Sequence, residues 1–251
     1  MNVDTVNVKG FLECVELENI TLFAQRPINN DFARFKNLQI LNVVCSDLTS
    51  DMIRSCTNIE ELDVTNCKNI IDINYLTKLR KLDARLSCSL SNDCIKKCSN
   101  IEYLNISENV LINDINLLTN LKTLIANHNN CLENGGILDC YNIERMEIWS
   151  NNKIIDINHL INLKELIVGG NSDLDEKGFI MCTNIELLDI TCNSRIKDLN
   201  HLINLKVLHM NSGKCCVNLK SIEKCAKLEL IYSKYNYNFD LNNKYKFKII
   251  S

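Results

Sequence analysis

No apolar run in this chain approaches the ~18 residues of a membrane span, and Met1-Asn2-Val3-Asp4-Thr5 has neither the basic start nor the apolar core of a signal peptide. No membrane partner is therefore expected. The formal net charge is only −3, which leaves no electrostatic case for nucleic acid as a partner. Catalytic motifs are missing as well: there is no nucleophile elbow, phosphate loop or kinase set. Cysteine is abundant, at fourteen, but the paired C-x-x-C halves of a zinc site are absent. Cys215-Cys216 is a lone vicinal pair, and Cys94 and Cys98 share one predicted helix. His159 and His201 lie two strand spacings of ~4.8 Å apart, too far to share a metal, and are read as convex surface residues. His128 and His209 lack a completing Cys or Asp. No catalytic residue, metal ligand or cofactor is expected. Fourteen thiols without an export signal imply a reducing, cytoplasmic setting. The single Pro and seven Gly, beside abundant Asn, Ile and Lys, look like codon drift in an AT-rich genome, with no bearing on mechanism.

What the chain does have is a period. Cys14, Cys56, Cys98, Cys140, Cys182 and Cys225 recur at intervals of 42, 42, 42, 42 and 43 residues. Three residues after each comes an aliphatic: Leu17, Ile59, Ile101, Ile143, Ile185 and Leu228. Roughly midway, Leu38, Leu79, Leu121, Leu163 and Leu205 open sister units. Numbered from the opening residue, places one, four and six are aliphatic and place nine is small and polar, as in Ile101, Leu104, Ile106 and Asn109. Place nine runs Gln25, Ser46, Cys67, Ser87, Asn109, Asn129, Asn151, Asn171, Asn193, Gly213 and Asn236. Such a period means stacked units that bury their apolar faces on one another, and overrides the one or two globular domains that length alone suggests.

These residues resemble the leucine-rich repeat. The resemblance implies an α/β leucine-rich-repeat solenoid, a horseshoe with a parallel β-sheet on the concave face and short helices and 3-10 turns on the convex face. The expected layout is an N-terminal cap over 1–16, about eleven turns over 17–236, and a C-terminal cap strand over 237–251. Val3, Val6 and Val8 would belong to the first cap, and Phe239, Leu241, Tyr245, Phe247, Ile249 and Ile250 to the last. The short turns carry Ile70-Ile71-Asp72-Ile73 and its equivalents at Asp114, Asp156 and Asp198; they resemble internalin and phosphatase-regulator repeats, with the Asp as a turn residue. The longer turns resemble the cysteine-containing repeats of F-box substrate receptors, with Thr49 or Ser91 capping a short helix. The repeated cysteines form a buried column of small apolar filling.

Place two alternates in sign through Glu60, Arg80, Glu102, Lys122, Glu144, Lys164, Glu186, Lys206 and Glu229, which reads as a solvated face holding register. The outward places three, five and seven change character along the chain. Early turns present Glu61, Asp63, Lys81, Asp83 and Arg85; later ones present Tyr103, Ile125, Arg145, Glu147, Trp149, Ile167, Leu187, Val207, His209, Leu230 and Tyr232. Exposed aliphatics beside the single Trp suggest a contact surface. Trp149 should project between Ile125 and Ile167, burying little in the unbound chain, so that its removal barely affects folding. The expectation is a monomeric, non-catalytic scaffold that recognises a protein partner through its concave face. The alternatives are a ubiquitin-ligase substrate adaptor working with a separate F-box-type chain, since only sixteen residues precede Leu17, or an inhibitor or regulatory subunit of an enzyme.

Overall fold

A computed structural model describes residues 16–23, 32–44, 47–86, 88–234 and 248–250. The expected contributions of Val3, Val6, Val8, Cys14, Gln25, Ser46, Ser87, Asn236, Phe239, Leu241, Tyr245 and Phe247 fall outside the described residues. The chain forms two compact units, Met1–Leu121 and Lys122–Ser251. In the first, β1 (Asn19–Phe23), β2 (Ile40–Val44), β3 (Glu61–Asp63), β4 (Lys81–Asp83) and β5 (Tyr103–Asn105) pair in parallel in chain order. In the second, β6 (Thr123–Ile125), β7 (Arg145–Glu147), β8 (Glu165–Ile167), β9 (Leu187–Asp189), β10 (Val207–His209), β11 (Leu230–Tyr232) and β12 (Lys248–Ile250) do the same.

The register follows the repeat. Place-four residues pair as Leu41, Leu62, Leu82 and Leu104 in the first unit, and as Leu124, Met146, Leu166, Leu188, Leu208 and Ile231 in the second. Side chains alternate along a strand, so places four and six point inward while three and five face out. Ile101, Leu104 and Ile106 are fully buried, as are Ile143, Met146 and Ile148. A slip by one residue would put each of these into water.

A strand of three residues leaves most of each turn's backbone outside the sheet, and buried N–H and C=O groups must find partners elsewhere. Asparagine supplies many of them. Asn109 Nδ2 donates to the carbonyls of Ala84 (3.0 Å) and Leu90 (3.4 Å), while its Oδ1 accepts from the N–H of Leu111 (2.8 Å) and Ile112 (3.0 Å). Asn193 repeats this with Val168, Leu174, Arg195 and Ile196. Asn151 reaches the carbonyls of Asn129 and Leu132 and accepts from Lys153 and Ile154. A second set lies one residue before the opening aliphatic: Asn58, Asn100, Asn120, Asn162, Asn184 and Asn204 each donate to a carbonyl of the preceding turn. A third joins turns on the side away from the sheet. Asn74, Asn158 and Asn200 donate to the carbonyls of Asp93, Lys177 and Lys220 and accept from the N–H of Lys97, Met181 and Lys224. The abundance of asparagine, which beyond place nine looked like codon drift, is thus built into the fold.

The chain enters the place-nine column through a tight turn in which the place-nine N–H donates to the place-six carbonyl, as from Asn109 to Ile106 (3.0 Å) and Asn193 to Ile190 (2.8 Å). Place eight then sits in the left-handed region: Asn66, Leu86 and Glu108 in the first unit, and His128, Ser150, Gly170 and Cys192 in the second, with φ between 53° and 68°. Only Gly170 tolerates this without a steric cost. The gain is a continued ladder, since the N–H of Leu86 and His128 reach the carbonyls of Ser107 (2.9 Å) and Trp149 (2.8 Å) on the next turn.

Two place-nine assignments are corrected. Asn171 is exposed and Ser172 is buried in its stead. Gly213 is exposed, and Cys215 takes the seat, its thiol donating to the Ile190 carbonyl at 3.2 Å. The turn opened by Leu205 runs 23 residues to Leu228, long enough to displace the seat by two. Asp72, Asp114, Asp156 and Asp198 act as turn residues: each Oδ1 accepts the N–H two residues on, at 3.0, 3.0, 3.0 and 2.8 Å. The short helices α1 (Ser50–Ile53) and α2 (Asn92–Ile95) follow Thr49 and Ser91, but neither side chain makes a capping bond; Ser91 Oγ instead lies 3.2 Å from Cys94 Sγ. Side-chain caps occur at Asp175 and Asn218, ahead of 3-10 turns at Glu176–Phe179 and Leu219–Ile222.

The cysteine column does more than fill space. The thiols of Cys56, Cys98, Cys182 and Cys225 donate to the carbonyls of Phe32, Ile73, Ile157 and Leu199 at 3.2–3.3 Å, weak bonds that still satisfy buried acceptors. All twelve described cysteines are thiols. Burial pushes Cys98 and Cys182 up from an ordinary 9.0 to about 12.

Leu104→Ala should cost ~2–5 kcal/mol as a core truncation, and Asn109→Ala ~2–4 kcal/mol because it strands buried N–H and C=O groups. Asn120→Ala, at the exposed column, should cost under ~1 kcal/mol; chemical denaturation checks all three. Glu108→Gly, which relieves a left-handed φ, should raise stability by up to ~1 kcal/mol, whereas Glu108→Val should lower it. Because the folded thiol values lie above the unfolded one, their contribution is whole below pH 9.0 and declines as pH rises toward 12. In the native chain at neutral pH, exposed Cys216 should alkylate well before Cys98 or Cys182, and unfolding should abolish the difference.

Candidate functional site

Of the residues expected to bind a partner, Tyr103 belongs to the first unit, on β5, where the Lys81 ammonium lies 5.6 Å from its ring centroid. The other nine lie in the second unit, eight on strands and Trp149 just after β7. Parallel pairing sets them in two outward columns. Place three runs Thr123, Arg145, Glu165, Leu187, Val207, Leu230 and Lys248; place five runs Ile125, Glu147, Ile167, Asp189, His209, Tyr232 and Ile250. Leu187, Val207 and Leu230 are therefore direct neighbours. His209 stacks on Tyr232 with centroids 4.3 Å apart and planes at 27°. Arg145 bridges Glu147 and Glu165. Burial works against its charge, but bonding and attraction from the two carboxylates raise its pKa. Ile125 and Ile167 flank Glu147 in register.

Trp149 departs from expectation. It is half-buried and packs against Gly169 and Gly170 of the next turn: a Cβ on Gly169 would fall 2.2 Å from the indole ring, and one on Gly170 2.8 Å from Nε1. The backbone there can approach the ring only because both residues lack a side chain. Trp149 thus belongs to the packing as well as the surface. Its removal should cost stability, contrary to the sequence-based expectation.

All ten candidate residues are half-buried, since strand neighbours ~4.8 Å away cover their flanks. The most exposed large apolar groups of this unit lie elsewhere. Tyr141 (53% exposed), Ile161 (56%) and Ile203 (55%) each stand two residues before an opening aliphatic, with Met181 (61%) nearby. The hydrogen bonds from Asn162 to the Tyr141 carbonyl (3.1 Å) and from Asn184 to the Ile161 carbonyl (2.9 Å) show that successive turns touch along this column. The signal was present in the sequence: the same place holds Lys36, Thr57, Thr77, Ser99 and Thr119 in the first unit.

The place-two alternation is realised as ion pairs, Arg80–Glu102, Lys164–Glu144 and Lys206–Glu186, each at 2.7 Å. His159 and His201 are half-buried, which corrects their reading as surface residues. His159 Nε2 donates to the Ile137 carbonyl at 3.0 Å, whereas His201 Nε2 is buried with no hydrogen-bond partner, its ring 5.2 Å from Phe179. Desolvation lowers the His201 pKa, keeping it neutral at pH 7. A polar hollow of about 430 Å³ in the first unit is lined by Glu18, Asn37, Gln39, Asn58, Glu60 and Lys78, with no apolar wall of the kind small-molecule sites need. Among the described residues no group of three His, Cys, Asp or Glu side chains could hold a metal, and no helix is long and apolar enough to cross a membrane.

No protein-family model matches the chain, and no curated protein matches it. Solved structures do. An internalin from Listeria monocytogenes is 18% identical with a TM-score of 0.54, matched over 98% of this chain and 89% of its own. A leucine-rich-repeat protein of Leptospira interrogans is 17% identical at 0.67, over 96% and 64%. TLR13 in a complex with ssRNA13 is 17% identical at 0.58, over 93% and 38%. The chain thus spans less than two thirds of the length of the latter two. With repeat register, inward aliphatics and polar columns all in place, and these neighbours alike in form, this chain has the leucine-rich-repeat fold.

Proposed function

We propose that the chain is a non-catalytic scaffold that recognises a protein partner through the outward sheet face of its second unit, acting as a monomer in the reducing cytoplasm. The observation that carries this is the run Leu187, Val207 and Leu230 on three adjacent strands, flanked by Ile167 and the His209–Tyr232 stack. Solvated sheet faces normally alternate to polar residues, and a rigid strip of aliphatic and aromatic groups is the kind of surface from which interface anchors come. Glu147, Glu165 and Asp189 against the cations Arg145 and Lys248 give this face no excess of positive charge, which favours protein over nucleic acid. The thiols throughout the core support a reducing compartment. Each half-buried anchor is held by its strand neighbours before any partner arrives, so little ordering would oppose binding.

Captured native partner, once identified, allows a direct test. Val207→Arg should weaken its binding by roughly thirtyfold or more, the equivalent of a hot spot of ~2 kcal/mol, with the melting temperature little changed. Ile161→Glu, on the exposed column two residues before Leu163, should bind normally. The opposite pattern, with Ile161→Glu abolishing binding and Val207→Arg leaving it intact, would move the interface to the Tyr141–Ile161–Ile203 column and refute the proposal.

A further inference from the structure

Across β8 to β11 the outward place-five column reads Ile167, Asp189, His209 and Tyr232, each the direct cross-strand neighbour of the next. Leu187, which starts the aliphatic run, stands two residues before Asp189 on the same strand and the same face. Asp189 is half-buried there. Its Oδ1 accepts the N–H of Thr191 at 2.8 Å, but that turn needs only an acceptor oxygen. At the equivalent place Asn105 accepts the N–H of Ser107 at 3.1 Å with a neutral amide. The negative charge at 189 is therefore not required by the fold.

Among the described residues no cation pairs with Asp189. Asp83, at the same place in the first unit, takes Arg85 of its own turn at 2.7 Å, and Glu147 and Glu165 share Arg145. The turn of Asp189 has Leu187 and Thr191 where those cations stand. The place-two ammonium groups of the two adjacent turns, Lys164 and Lys206, are taken by Glu144 and Glu186. His209 stacks on Tyr232 and makes no hydrogen bond to Asp189 among the described residues. Any partner that covers Leu187, Val207 and Leu230 also covers Asp189, and a carboxylate sealed under apolar surface without a counter-charge strongly opposes binding. The partner must bring the cation. Resting on the sheet-face interface proposed above, we infer that the partner segment is anchored by an arginine set among apolar residues. Its guanidinium pairs with Asp189 over the His209 ring, and its apolar neighbours cover Leu187, Val207 and Leu230. Arginine suits this place because its planar fork can donate two N–H bonds to one carboxylate and stack on an aromatic ring, while its methylene stem lies along aliphatic side chains.

A library of short random peptides, displayed on phage and panned on the full chain, supplies the probe. Clones that no longer bind Val207→Asn, which removes apolar surface without adding charge, are those held by the sheet face. These should share an arginine flanked by apolar residues. Made as synthetic peptides, they should bind wild type roughly tenfold or more tighter than copies with citrulline, a neutral isostere, in place of that arginine, as expected for a charge-assisted pair. Asp189→Asn keeps an acceptor for Thr191, so its melting temperature should hold. It should bind the arginine and citrulline peptides within about twofold of each other. Val207-dependent clones without a basic residue, equal binding of both peptides to wild type, or an arginine preference that survives Asp189→Asn would overturn the arginine assignment and leave the interface standing. A panning that yields no Val207-dependent clone would overturn it too, while the Val207→Arg and Ile161→Glu comparison with native partner decides the interface separately.

Discussion

Everything in this fold depends on how backbone groups outside a three-residue strand are satisfied. A strand that short contributes few hydrogen bonds, and the rest of each turn runs through places where buried N–H and C=O groups would cost ~1–3 kcal/mol apiece if left alone. The solution is repetitive side-chain bonding between turns. Asn109 and Asn193 each join four backbone groups, and the thiols of Cys56, Cys98, Cys182 and Cys225 reach carbonyls one turn back. Hydrophobic burial drives the turns together and already opposes a one-residue slip. The polar columns add to that specificity, because a slipped turn would leave whole rows of donors and acceptors stranded. The left-handed place eight belongs to the same logic: a steric cost at Leu86, His128 or Ser150 is accepted where its N–H carries the ladder past the end of the strand.

Much of this was legible in the sequence. The inward aliphatics, the strand positions and the turn role of Asp72 and its equivalents all follow from spacing, since a period read over many turns averages out local ambiguity. What spacing could not show was anything decided by a few tenths of a turn. Ser172 and Cys215 replaced Asn171 and Gly213 because the longer turns vary in length between the strand and the polar seat. Place eight was invisible because Leu86, Glu108 and Cys192 are not residues that normally signal a left-handed backbone. The exposed and distal asparagine columns were missed for the opposite reason: so common a residue looked like background.

The candidate surface was partly legible for similar reasons. Which residues point outward is a matter of parity, and Leu187, Val207 and Leu230 do lie side by side. How far each projects is not, and here the expectation for Trp149 failed. Its environment is set by the absence of side chains on Gly169 and Gly170 one turn away, a relation between turns that no reading of one turn contains. The Arg145 bridge to Glu147 and Glu165 is likewise a cross-strand fact. It ties up the charges in the middle of the face and leaves the apolar run toward β11 as its distinguishing feature.

Side-chain columns, as much as the sheet, hold successive turns in register. Native-state hydrogen exchange tests it at amides that no strand pairs. The N–H of Leu111 and Ile112 on Asn109, of Lys153 and Ile154 on Asn151, and of Arg195 and Ile196 on Asn193 should be protected as strongly as the strand-paired amides of the same unit. Exchange at those six sites as fast as in exposed loops, while the strands stay protected, would contradict it.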